Sequence, residues 1–193
     1  MIKTEDRVGI FGRTGSGKTT LVKNVLLPRV NRWAVLDPKH EFTYPGAVIR
    51  RKHDARPERV IYRAPEFGPN EMPWYDDIVA RIMAEGRRLI VVDEAYFVTK
   101  SNPTSPGMAR AMRMGRSKGT GVWLLTQSPT RVPHEMLSQT DHIFLFHLQH
   151  VGDQERVVQL VGKHILPYMQ RQTRMGHKHD FIYHHVGDHR TIY

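Results

Sequence analysis

Cysteine is absent from the 193-residue chain. That excludes disulfides and thiolate metal sites, and it suits an intracellular or intravirion protein. Long apolar runs are missing too. The longest, such as Leu89 to Val92, are far too short to span a membrane. The N-terminus is polar and enters a strand almost at once, so no signal peptide is expected. No internal repeat, low-complexity tract or clear linker breaks the chain, and a single domain over residues 1–193 is expected. Acidic residues are in deficit: 19 Asp and Glu stand against 29 Lys and Arg, giving a formal charge of +10 and a pI near 10.1. Arginine outnumbers lysine 20 to 9. Arginine forks suit phosphate oxygens, so nucleic acid is the polyanion to consider, with bare solubility as the plainer reading.

Against that background one stretch stands out. Gly12-Arg13-Thr14-Gly15-Ser16-Gly17-Lys18-Thr19 fits G-x-x-x-x-G-K-[ST] at every fixed position. Arg7–Phe11 before it reads as a buried strand, and Thr20–Leu27 after it as a helix stopping at Pro28. Glycines let backbone N–H groups converge on an anion, and the helix start adds its dipole. Lys18 can reach the β- and γ-phosphates, and the Thr19 hydroxyl can ligate Mg²⁺. Residues Gly12 to Thr20 are the expected nucleotide-binding set, for ATP with Mg²⁺.

Short apolar runs alternate with helical stretches along the rest of the chain, which predicts an α/β fold with a mainly parallel sheet. Strands are expected at 32–36, 47–49, 60–62, 88–94, 122–127 and 142–148. Helices are expected at 74–84, 108–118, 133–139 and 153–161, the last with Asp153 as N-cap. Residues 66–73 and 101–107 read as loops, and 181–186 as part of a terminal hairpin.

Asp93-Glu94 closes the most hydrophobic strand, the Walker B arrangement. A carboxylate there faces the phosphate loop across the sheet's C-terminal edge. Asp93 is expected in the Mg²⁺ shell, and Glu94 as the general base that orients water. Thr126-Gln127 ends another core strand, where an amide can sense the γ-phosphate.

Taken together, several blocks resemble the FtsK–HerA superfamily of DNA-pumping ATPases: Gly12–Thr19, Val35–Glu41, Val91–Ala95, and above all Arg113–Pro129, a basic helix, a glycine and a hydrophobic strand leading into Thr-Gln-Ser-Pro. The resemblance implies a RecA-like P-loop (ASCE) ATPase domain, its central sheet flanked by helices. A bare motor domain looks most like the genome-packaging ATPases of tailless, internal-membrane viruses with double jelly-roll capsids. For those, the resemblance implies a ring, commonly a hexamer, that pumps double-stranded DNA. It would act in host cytoplasm or virion at a capsid vertex or beside a viral membrane protein. A cellular or conjugative motor, a filamentous-phage assembly ATPase, and a nucleotide-gated vertex adaptor are the rivals.

Arg116 matches the family's trans arginine finger, with Arg113 the alternative; with Arg110 they are spaced by three and share a helix face, which a plain basic face would also explain. Residues 149–156 match a pore-loop region, making Arg131, His150 and Arg156 the candidate DNA contacts. Asp37 and Glu41 match a family motif whose role, support for the phosphate loop or for a subunit contact, stays open. Arg50-Arg51-Lys52 reads as a solvated loop. His177, His179, His184, His185 and His189 read as surface or DNA-near histidines rather than a zinc site. Met108, Met112 and Met114 read as packing.

Overall fold

The structure is a computed structural model that describes residues 2–52, 57–65, 68, 71–99, 105–175 and 179–192. Among the described residues, nine strands form a single sheet. In chain order they are β1 (Val8–Phe11), β2 (Trp33–Leu36), β3 (Val48–Arg50), β4 (Arg59–Tyr62), β5 (Leu89–Asp93), β6 (Val122–Thr126), β7 (His142–Phe146), β8 (Phe181–His185) and β9 (Arg190–Ile192). Their spatial order is β3-β4-β2-β5-β6-β1-β7-β8-β9. The first seven strands in that order run parallel; β8 and β9 are antiparallel, the terminal hairpin expected from the sequence.

Each central strand is apolar throughout because both faces are covered. In β5, Ile90 and Val92 point to one face and Leu89 and Val91 to the other, all fully buried. The first face packs under α2 (Glu71–Glu85), α3 (Ala95–Thr99), α4 (Pro106–Met114), α5 (His134–Leu137), α6 (Val151–Val161) and α7 (Leu166–Met175). The second face packs under α1 (Lys18–Leu21), its continuation and the loop bearing Phe42.

Several boundaries differ from the sequence reading. α1 begins at Lys18 and continues as a wide turn over Val22–Leu26 and a tight one over Leu27–Arg29. Pro28 falls inside that tight turn, near its start, where a missing N–H costs nothing. α2 starts at Glu71, three residues early, because Pro73 lies in the first turn and loses no intrahelical bond. α4 starts at Pro106, capped by Ser105, with Asp76 of α2 accepting from Gly107 N (2.8 Å) and Met108 N (3.1 Å). Residues 66, 67, 69, 70 and 101–104 of the two expected loops lie outside the described residues. α3 and α7 have no counterpart in the sequence reading. Met108 and Met112 are buried as expected, while Met114 is half exposed. Asp153 is not the cap of α6. The helix begins at Val151, and the buried Asp153 carboxylate accepts from Ser128 Oγ (3.0 Å), Thr130 N (3.0 Å) and Thr130 Oγ1 (2.7 Å). It therefore fastens the segment after β6 to α6.

Candidate active site

Four neighbouring strands, β2, β5, β6 and β1, end along one edge of the sheet, and their following residues meet there. β1 leads into the loop 12–17. A Cβ on Gly12 would lie 2.5 Å from Phe146 Cβ, and Gly17 sits at φ 106°, so only glycine fits either turn. Lys18 Nζ curls back to Gly12 O (2.6 Å) and Arg13 O (3.1 Å). Ser16 Oγ is buried and has no hydrogen-bond partner among the described residues. An ammonium satisfied only by loop carbonyls and an orphaned hydroxyl in a glycine cradle are the donor set a polyphosphate requires. Burial lowers the Lys18 pKa to about 8, opposed by the nearby Glu94 carboxylate.

Thr19 Oγ1 lies 3.4 Å from Asp93 Oδ1. Burial, with Asp37 and Glu94 adding repulsion against the attraction of Lys39, raises Asp93 to about 6. These are hard oxygen donors in a carboxylate-rich corner, and they fit Mg²⁺, which keeps most of its waters.

Glu94 follows β5 with φ 76°, an uncommon conformation for a side-chain-bearing residue. Its buried carboxylate accepts from Thr126 Oγ1 (3.1 Å), Gln127 N (3.3 Å), Gln127 Nε2 (3.0 Å) and Lys39 Nζ (3.3 Å). The other end of the Gln127 amide accepts from Thr14 Oγ1 at 2.5 Å. Gln127 thus links the phosphate loop to the carboxylate. The four donors hold Glu94 despite its strained backbone, an arrangement found where function demands it.

Asp37, left open by the sequence, is fully buried. It accepts from Glu41 N (3.1 Å), Phe42 N (3.0 Å) and Arg63 Nε (2.8 Å), while Arg63 also donates to Phe42 O (2.9 Å). It shapes the loop 37–42, whose tip carries Lys39 onto Glu94. Glu41 is exposed and contributes its backbone N–H. Sequence reasoning missed Lys39 as a site residue; its only signal was its place in the Val35–Glu41 block.

A cleft of about 510 Å³ opens beside Glu94, lined by Arg13, Lys39, Tyr96, Gln127, Arg131 and His150 among others. The Arg131 guanidinium lies 5.1 Å from the Tyr96 ring centroid, a cation–π distance. Arg131 and His150 therefore stand together, and Arg156, on α6, is not among the residues lining this cleft. Arg116 lies elsewhere, in the tight turn Arg116–Lys118. Its guanidinium is 2.8 Å from Asp141 and 3.6 Å from Asp6, near the N-terminal ends of β1 and β7, away from the phosphate loop of its own chain. Arg113 pairs with Glu135 at 2.7 Å, and both are exposed.

The histidines do not form one group. His184 is buried and bonded to Thr191, and burial with neighbouring His164 lowers its pKa to about 4. His185 contacts Asp188. His189 is exposed. His177 lies outside the described residues. The buried His184 departs from the surface reading, whereas His179 is exposed, as expected, with its ring on the phosphate loop, Nδ1 3.2 Å from Ser16 O. Among the described residues, no helix is long and apolar enough to cross a membrane.

A family model, the helicase HerA-like C-terminal domain, matches residues 87–154, from β5 into α6. No curated protein sequence is detectably similar to the chain. Among solved structures, the genome packaging NTPase B204 from Sulfolobus turreted icosahedral virus 2, in complex with AMP, is 18% identical, with 100% of this chain and 98% of that one covered at a TM-score of 0.80. B204 from Sulfolobus turreted icosahedral virus, described as a DNA-packaging ATPase, is 18% identical over 99% and 97% of the two chains at 0.74. The pCW3 conjugation coupling protein TcpA with ATPγS is 15% identical over 81% of this chain and 52% of its own at 0.57. These likenesses establish the fold, that of a P-loop ATPase with a largely parallel sheet. With the family-model match, they agree with the FtsK–HerA assignment read from the sequence blocks.

Proposed function

We propose that this chain is an ATP-hydrolysing motor of the FtsK–HerA type that moves double-stranded DNA, packaging a viral genome. The observation that carries the hydrolytic part is the chain of bonds from Thr14 through Gln127 to Glu94, which couples the phosphate loop to a buried, well-oriented carboxylate. Glu94 takes a proton from the attacking water, and Gln127 and Lys39 set its direction. Lys18 and the loop N–H groups hold the β- and γ-phosphates. Mg²⁺ at Thr19 and Asp93 supplies neutralising charge to those phosphates when bound. The packaging step is supported by the B204 likeness over nearly the whole of both chains and by the charge of +10.

Arg116 remains the proposed trans finger, in a ring for which a hexamer is favoured. Its present partner does not block that role. Arg7 already holds Asp141 through Nε (3.1 Å) and Nη2 (3.1 Å), and Asp6 keeps Lys3 N (2.7 Å) and His142 Nε2 (3.1 Å), so a departing Arg116 leaves neither carboxylate unpaired. Arg131, His150 and Arg156 remain the proposed DNA contacts, the first two close enough to the catalytic carboxylate to couple DNA to turnover. The test is ATPase rate with and without double-stranded DNA, beside native mass measurement, on wild type and Arg116→Ala. Stimulation by DNA together with a ring, and loss of turnover with retained ATP binding in the variant, is the expected outcome. A DNA-indifferent monomer would count against the motor. An assembled Arg116→Ala ring with unchanged turnover would remove Arg116 from the site.

The lowered Lys18 pKa makes a separate prediction. A bound polyanion favours the ammonium, so at pH 8 binding of Mg-free ATP takes up a proton, roughly half of one per site. The uptake disappears as pH falls toward 6.5, where Lys18 is already protonated. Calorimetry in buffers of differing ionisation enthalpy reads it directly, and zero uptake at pH 8 contradicts the assignment.

A further inference from the structure

The sheet order gives a bound nucleotide a direction. Asp93, Glu94 and Gln127, the residues suited to the γ-phosphate, lie at the ends of β5 and β6, on one side of β1. The β-phosphate belongs in the loop after β1. The nucleoside must then extend to the other side, over β7 and β8.

His179 stands there, two residues before β8. It is exposed, yet its Nδ1 lies 3.2 Å from the Ser16 carbonyl, hydrogen-bond distance with Nδ1 as the donor. A Cβ on Gly17 would meet His179 Nδ1 at 3.2 Å and Phe146 Cε1 at 3.5 Å, so the imidazole lies against the loop beside a phenylalanine. Phe146 and Phe181 are themselves packed, with ring centroids 5.4 Å apart. A planar ring is therefore held at hydrogen-bond distance from the phosphate loop, near Phe146, on the side the nucleoside must take.

We propose that His179 is an affinity-determining contact for the base of the bound nucleotide. The Nδ1 bond to Ser16 sets the orientation of the imidazole, and the ring offers a stacking surface to a purine. The inference rests on the nucleotide site proposed above. Stacking is a contact with the base alone, so its removal should spare the phosphates.

The experiment is calorimetric titration of the full chain with ATPγS and, separately, with inorganic tripolyphosphate, for wild type, His179→Ala and His179→Phe. The expected result is an ATPγS Kd about tenfold weaker in His179→Ala, a tripolyphosphate Kd within twofold of wild type, and recovery of most ATPγS affinity in His179→Phe, which can stack but cannot bond Ser16. Equal weakening of both ligands, or no weakening of ATPγS, overturns the proposal; the first result would make His179 a buttress of the loop. Failure of His179→Phe to recover affinity overturns stacking. Failure of wild type to bind either ligand is a different result: it removes the nucleotide site itself. Unchanged melting temperatures, expected for an exposed side chain, keep the comparison free of folding effects.

Discussion

Glu94→Gln is expected to bind ATP and Mg²⁺ with affinities within about threefold of wild type and to lose turnover by a factor on the order of 10²–10⁴, the usual contribution of a positioned general base. The amide is nearly isosteric, so the Thr126 and Gln127 bonds to the Oε1 side can persist. On the other side the new NH₂ would face the Gln127 amide and the Lys39 ammonium, both donors. That side rearranges, and the proton acceptor is gone. Single-turnover hydrolysis beside equilibrium binding of ATPγS separates the two effects. A kcat near wild type would end the assignment of Glu94 as base, while lost binding would indicate a collapsed cleft.

Asp37→Ala should act through a loop rather than through the chemistry. It removes the acceptor for Glu41 N and Phe42 N and leaves the Arg63 guanidinium, largely buried, without its carboxylate. Removing one partner of a buried pair costs about 3–5 kcal/mol. For a chain of this size that lowers the melting temperature on the order of 10 °C. Turnover should fall as well, because the loop 37–42 delivers Lys39 to Glu94. Asp37→Asn keeps one acceptor oxygen and should fall between wild type and alanine in both readouts. Thermal melts with kcat on the folded fraction test this. A wild-type melting temperature for the alanine variant would show that Asp37 does not organise the loop.

The two predictions draw on different kinds of information. Glu94 was legible in the sequence. A run of aliphatic residues buried on both faces must be a central strand, and an acid pair directly after it must emerge at the sheet edge. The phosphate loop was legible for the same reason: its glycines encode a local backbone path, here visible in Gly12 and Gly17. The role of Asp37 is not legible in the sequence, since nothing nearby shows a carboxylate to be wholly buried or names Arg63, 26 residues away, as its partner. Asp153 was misread as a cap because Asp near a helix start usually caps, whereas its partners lie on another loop.

By itself, then, the sequence determined the local devices: the strand, glycine loop and helix whose shape suits a phosphate, the acid pair at the end of β5, the Thr-Gln at the end of β6, and a mainly parallel sheet. Those depend on contiguous residues and short periods. Only the tertiary structure decided which devices meet. β2 sits beside β5, so Lys39 reaches Glu94 across 55 residues of chain. β7 and β8 flank β1, so His179 rests on Ser16 across 163. A continuous apolar run drives a strand into the middle of a sheet but is much the same for every central strand, so it carries no record of which neighbour the strand will have.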